Sequence, residues 1–230
     1  MGTIYLIRHG QASFGHSNYD QLSKTGFEQA RVLGEHLRGR LPEVDAVYLG
    51  TMRRHRETAE TCLAAMGRAL DFGEHAGFNE YDHEEVVARY EPRYSDKRLM
   101  QVELAQTGDP KRAFQALFAK AIERWVGGEA DHEYSESWSG FKDRCAAALD
   151  SSIAQLGPSR TALVFTSGGV ISALAQRLLG IPDSHLFALN WNVVNASISK
   201  LIYGGRGVSL SSLNEHAHFE GAQSKLMTYR

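Results

Sequence analysis

The chain has 230 residues, 43% hydrophobic and 23% charged, with 25 lysines and arginines against 27 aspartates and glutamates and a formal charge of −2. That length and apolar content suffice for a full core, which excludes a disordered chain and fits one domain, or one domain with an insertion. The basic residues gather in no block, which argues against nucleic-acid and membrane partners, and no apolar run reaches spanning length.

Met1 to Gly10 reads as an apolar strand, without the charged leader and apolar core of a secretion signal. Cys62 and Cys145 lie in helix-like segments without metal or redox spacing, so buried free thiols and a cytoplasmic location are expected. Thr3 to Ile7 suits a buried strand, and Thr25 to Arg38 places Phe27, Ala30, Leu33, Gly34 and Leu37 at helical spacing. Ala46 to Leu49 repeats the strand signal and Arg54 to Met66 the helix signal.

From about residue 81 to 138 the chain is charged and helical without strand runs, which predicts a helical cap inserted over the sheet. Within it Phe114, Leu117, Phe118, Ile122 and Trp125 read as core packing, and Lys97, Arg98, Lys111 and Arg112 as a solvated face. Thr161 to Phe165 is a strand again and Val170 to Leu179 a helix. Ala196 to Tyr203 and Gly207 to Leu213 flank a glycine-rich turn and predict an edge hairpin. The expected fold class is α/β: a mostly parallel three-layer αβα sandwich with an antiparallel edge, one domain over 1–230 carrying the cap.

In such folds ligands bind beyond the carboxyl ends of the strands. Three stretches fall there: Arg8-His9-Gly10, Gly50 to Arg54, and Ser167-Gly168-Gly169. The guanidinium forks of Arg8 and Arg54 suit phosphoryl oxygens, and the glycines let backbone amides at a helix start approach the same anion. Among these cations a protonated His9 is disfavoured, so a neutral imidazole is available to attack phosphorus, and Gly10 leaves room for the attack. Arg53 and Arg56 read as solvated helix charges.

The strings LIRHGQAS, LSKTGFEQARVLGEHL, YLGTMRRHRETAE, FNEYDHEE, TALVFTSGGVISAL and SLSSLNEHAHF resemble the histidine phosphatase superfamily, in its phosphoglycerate-mutase-like branch. The resemblance spans nearly the whole chain outside the cap. It implies a covalent phosphohistidine mechanism in which His9 is the nucleophile, Arg8 and Arg54 bind the phosphoryl group, and Glu80 is the general acid, with Asp82 the alternative for that role. It also implies a small phosphorylated substrate or inorganic phosphate as partner, with no metal and no organic cofactor. A homo-oligomer is compatible with the sequence.

The chain departs from the family pattern where T-H-G-G is usual: it reads Thr166-Ser167-Gly168-Gly169, so the second histidine is missing and Ser167 with Gly168 remains to bind phosphate. Losing one placed donor costs roughly 10² to 10³ in rate, which leaves an impaired or binding-only descendant as the alternative. Gly50-Thr51-Met52 stands for S-P-L, and Gly15 replaces a frequent asparagine. His16, His55 and His83 are candidates to substitute for the missing histidine, against a background of ten histidines. FNEYDHEE lacks the mutase string L-N-E-R-x-Y-G, which favours a phosphatase over a mutase. A serine-hydrolase elbow is disfavoured because Phe165 stands where G-x-S-x-G needs glycine.

Overall fold

The computed structural model describes residues 1–13 and 20–229. The first strand, β1 (Gly2–Arg8), is followed by α1 (Lys24–Arg40), β2 (Ala46–Leu49), α2 (Arg53–Met66) and the short β3 (Phe72–Glu74). Helices α3 (His83–Tyr90), α4 (Lys97–Ala105), α5 (Pro110–Gly127) and α6 (Trp138–Leu156) come next. The chain returns through β4 (Thr161–Thr166), α7 (Gly168–Leu179), α8 (Asp183–Asn192), β5 (Ile198–Gly204) and β6 (Gly207–Glu215).

Among the described residues six strands form one mixed sheet in the order β3-β2-β4-β1-β5-β6. The β3-β2, β2-β4 and β4-β1 pairs are parallel, whereas β5 and β6 run antiparallel at the edge. This is the expected mixed α/β sheet, and the predicted edge hairpin is β5-β6. Neither β3 nor α8 was expected: β3 is three residues long with glycine at its centre, and α8 carries almost no amphipathic periodicity.

The alternation of a strand decides which side chains meet which helices. Tyr5, Ile7, Val47, Leu49, Leu163 and Phe165 cluster with Leu33 and Leu37 of α1 and Leu63 and Met66 of α2. Their alternates Ile4, Leu6, Ala162 and Val164 are equally buried, as strands covered on both faces require. Helix α7, buried along Gly168–Gln176, contacts β1 and β6. Cys62 and Cys145 are both buried. No helix among the described residues is long and apolar enough to cross a membrane.

The chain divides into two compact units, one of residues 1–80 and 145–230, the other Tyr81–Arg144. The second is all helical and is built on aromatic contacts: Trp125 lies with its ring centroid 4.9 Å from Tyr81 and 5.2 Å from Trp138, and Trp138 stacks on Phe141 at 5.7 Å. Of the apolar stripe on α5, Ile122 and Trp125 are buried as expected. Phe114, Leu117 and Phe118 are only half-buried, because the helix buries its carboxyl-terminal half and the two phenylalanines stack on each other at 5.9 Å.

Ser23 starts α1 by accepting the Gly26 amide at 3.1 Å. The helix then meets the turn after β1 backbone to backbone: a Cβ on Gly10 would lie 2.5 Å from the Gly26 carbonyl oxygen, and one on Gly26 2.2 Å from that of Gln11. Glycine at position 10 therefore serves the seating of α1. Gly26→Ala is expected to lose about 1–3 kcal/mol of unfolding free energy in urea titration. Gly39→Ala, in the same helix with nothing near its added methyl, is expected to be neutral or to gain up to about 1 kcal/mol.

Candidate active site

The parallel neighbours β2, β4 and β1 bring the three expected strand ends together. Arg8 pairs with Thr166, the His9 N–H donates to the Thr166 carbonyl at 2.9 Å, and the Gly50 N–H donates to the Phe165 carbonyl at 3.2 Å. Arg8, His9, Arg54, Glu80, Ser167 and Gly168 all belong to the first unit.

His9 is 6% exposed, and its Nδ1 lies 2.7 Å from the Gly10 carbonyl oxygen. A carbonyl can only accept, so the proton sits on Nδ1 and Nε2 carries the lone pair. Burial, then the charges of Arg54 and Arg8 and the neighbouring His55, hold the imidazole well below the ordinary histidine range, against the pull of the Gly10 carbonyl. The site thus holds a neutral imidazole with a fixed tautomer beside two cations.

Backbone and hydroxyl contacts fix this turn. The Gly10 N–H donates to Thr58 Oγ1 at 3.1 Å, and that hydroxyl donates to the Arg54 carbonyl at 2.6 Å, so one threonine couples the loop that carries His9 to α2. Asn195 Nδ2 donates to the His9 carbonyl at 3.2 Å. Neither role is visible from spacing.

The arginines are held from different directions. Arg8 Nη1 donates to the carbonyls of Val193 and, at 3.2 Å, Tyr229. Its guanidinium lies over Gly168, where a Cβ would stand 3.4 Å from Nε. Arg54 is 5% exposed and donates from Nη1 to Asp20 Oδ1 at 2.8 Å, while Asp20 Oδ2 accepts the Arg53 amide at 2.9 Å. Asp20 was not anticipated, since nothing local links it to a residue 34 positions on. Arg53 and Arg56 pair with Glu57 and Glu74 on the surface, as solvated charges.

Ser167 caps α7 by position but not by side chain: its Oγ lies 2.7 Å from Nε2 of His55, and both residues are wholly buried. The His55 ring centroid is 5.7 Å from that of His9. Burial and then the Arg54 charge push the His55 imidazole well below the histidine range, against the pull of the Gly50 backbone. Of the three histidine candidates, His55 stands against Ser167, His83 opens α3 in the second unit, and His16 lies outside the described residues, as does Gly15.

Glu80 Oε2 accepts the Gly169 amide at 3.0 Å, which ties the segment after β3 to the start of α7. Thr166 Oγ1 donates to the Phe78 carbonyl at 2.6 Å and steadies the same segment. Asp82, the alternative acid, accepts the amides of Glu84 and Glu85 at 3.0 Å and so caps α3. Among the described residues no three His, Cys, Asp or Glu side chains gather as a metal ligand set.

A family model described as the histidine phosphatase superfamily (branch 1) matches residues 4–216. The chain belongs to the histidine phosphatase superfamily. Membership places it among enzymes that act on phosphates by phosphoryl transfer. Solved structures of similar fold include a phosphoglycerate mutase from Bacillus anthracis, 20% identical with a TM-score of 0.64, over 97% of this chain and 96% of that one. A phosphoserine phosphatase variant from Entamoeba histolytica in complex with phosphoserine is 17% identical with a TM-score of 0.66, over 95% and 99% of the two chains. A putative alpha-ribazole-5'-P phosphatase from Escherichia coli is 19% identical with a TM-score of 0.61, over 93% and 96%. No curated protein matches in sequence comparison.

The depressed histidines of this superfamily site make stability depend on pH. As pH falls below about 6.5 the unfolded chain takes up protons on His9 and His55 and the native chain does not, so stability is lost downward from there, by roughly 1.4 kcal/mol per pH unit for each. Urea unfolding at pH 7.5 and 5.5 is expected to differ by about 3 kcal/mol on their account. Side-chain NMR is expected to show both rings neutral at pH 5.5; midpoints near 6.5 would contradict the assignment.

Proposed function

We propose that the protein hydrolyses small phosphomonoesters through a phosphohistidine on His9. The observation that carries this reading is the buried, neutral His9 whose Nδ1–H is held by the Gly10 carbonyl, so that the Nε2 lone pair is the nucleophile. Nε2 attacks phosphorus as the bond to the leaving oxygen breaks, and Glu80, protonated, gives its proton to the departing alkoxide. Water then attacks the phosphohistidine, Glu80 as carboxylate takes its proton, the P–N bond breaks, and inorganic phosphate leaves.

Arg8 and Arg54 neutralise charge that accumulates on the phosphoryl oxygens, with the Ser167 hydroxyl and the α7 start completing the pocket. On this reading no metal is required. Glu80 is favoured over Asp82 because its carboxyl group is tethered to α7 at Gly169, whereas Asp82 is occupied as a helix cap. A binding-only role rests on Ser167 in place of the family's second histidine.

Purified protein is expected to hydrolyse an aryl phosphate in the presence of a chelator and to accumulate one phosphoryl group on the peptide that holds His9. His9→Ala is expected to lower kcat/KM at least about 10³-fold. A wild type that binds phosphate with no turnover and no label would establish the binding-only role. Glu80→Gln is expected to cost about 10² to 10⁴ in kcat, more for an alkyl than an aryl phosphate because the poorer leaving group needs the proton. Asp82→Ala is expected to lose about 1 kcal/mol of stability with kcat unchanged. The reverse pattern would move the acid to Asp82.

A further inference from the structure

The phosphohistidine steps leave one buried imidazole beside His9 without a part. His55 is fully buried, its ring is 5.7 Å from the His9 ring, and its Nε2 is 2.7 Å from the hydroxyl of Ser167. Ser167 stands where the family's motif carries a donor histidine, so the serine that replaced an imidazole is itself bonded to an imidazole supplied by α2. A full hydrogen bond between two wholly buried polar side chains 112 positions apart is a specific arrangement, because either group left alone would carry an unmet desolvation cost.

Two hydrogen placements exist for the pair. With the proton on Nδ1, where the Gly50 backbone carbonyl draws it, His55 accepts from Ser167, and the serine hydrogen is committed to the imidazole. With the proton on Nε2, His55 donates to Ser167 Oγ, and the serine hydrogen is released for another acceptor. Only the second placement offers a donor to a phosphoryl oxygen. An anion at His9 draws the serine hydrogen and so favours this placement over the one in which Nδ1–H is held by the Gly50 backbone, since each donor aimed at the anion is strengthened in a buried site.

We propose that His55 is a positioning residue for phosphoryl transfer: its Nε2–H donates to Ser167 Oγ and directs the Ser167 hydroxyl hydrogen onto a phosphoryl oxygen at His9. The pair thereby takes the part of the histidine absent from the motif. This rests on the phosphohistidine reading above. Because His55 is held neutral by burial and by Arg54, it works as a dipole and not as a cation.

The test uses His55→Gln, which keeps an N–H donor, His55→Leu, which fills the space without one, Ser167→Ala, and the double variant of the last two. With an aryl phosphate, His55→Leu and Ser167→Ala are each expected to lower kcat about 10-fold or more with KM within about 3-fold, since the donor acts mainly on the transition state. His55→Gln is expected to recover most of that loss, and the double variant to be no slower than Ser167→Ala, because the two residues act as one unit. Nitrogen-15 NMR of the histidines with inorganic phosphate adds a readout independent of turnover: phosphate is expected to place the His55 proton on Nε2 in the wild type and not in Ser167→Ala.

A folded His55→Leu with wild-type kcat overturns the proposal, as does a Ser167→Ala that keeps full activity while His55→Leu loses it. Should His55→Leu fail to fold, Ser167→Ala and the NMR tautomer decide. The two readings fail separately. An inactive, unlabelled wild type ends the phosphohistidine reading, whereas an active wild type that depends on His9 but not on His55 ends only this one. Labelling of Ser167, with activity surviving His9→Ala, would make the serine the nucleophile and end both.

Discussion

The site depends on burying one imidazole between two guanidinium groups. Desolvation and the charges of Arg54 and Arg8 act on His9 in the same direction, so the ring remains neutral, and the Gly10 carbonyl decides which nitrogen keeps the proton. Everything nearby serves that placement. The β1-β4 backbone bonds set the height of the ring, Thr58 joins its loop to the helix that carries Arg54, and the close approach of Gly10 and Gly26 clamps α1 behind it.

Such a site is built at a cost to the fold. Arg54 is nearly buried with the partly exposed Asp20 as partner, and the buried imidazoles oppose protonation. Groups arranged this way favour an anion at the expense of stability, which is the general conflict between a stable core and a preorganised site. Ser167 and His55 are bonded to each other. Their mutual bond gives the serine hydroxyl and the imidazole Nε2 a partner in the buried interior.

What the sequence makes legible follows from the range of the interactions involved. The strands and the first helices are visible because alternation and helical spacing are local, and the convergence of three strand ends follows from parallel order alone. Arg8, His9 and Arg54 meet at the ends of neighbouring strands for that reason. β3 escapes because three residues centred on Gly73 hold no pattern, and α8 because its apolar residues follow no helical stripe. Asp20 and Thr58 act through single long-range bonds that leave no periodic trace. His55 was one histidine among several near the site, and only its contact with Ser167, from a different strand end, separates it from the others.

The central claim is that one anion, at His9, is what these groups are arranged around. Crystals soaked in orthovanadate test it most directly. The account predicts vanadium bonded to His9 Nε2, with its oxygens contacted by Arg8, Arg54 and the Ser167 hydroxyl, and His55 retained behind the serine. Vanadate bonded to Ser167 with His9 uninvolved, or bound away from Arg8 and Arg54, would contradict it.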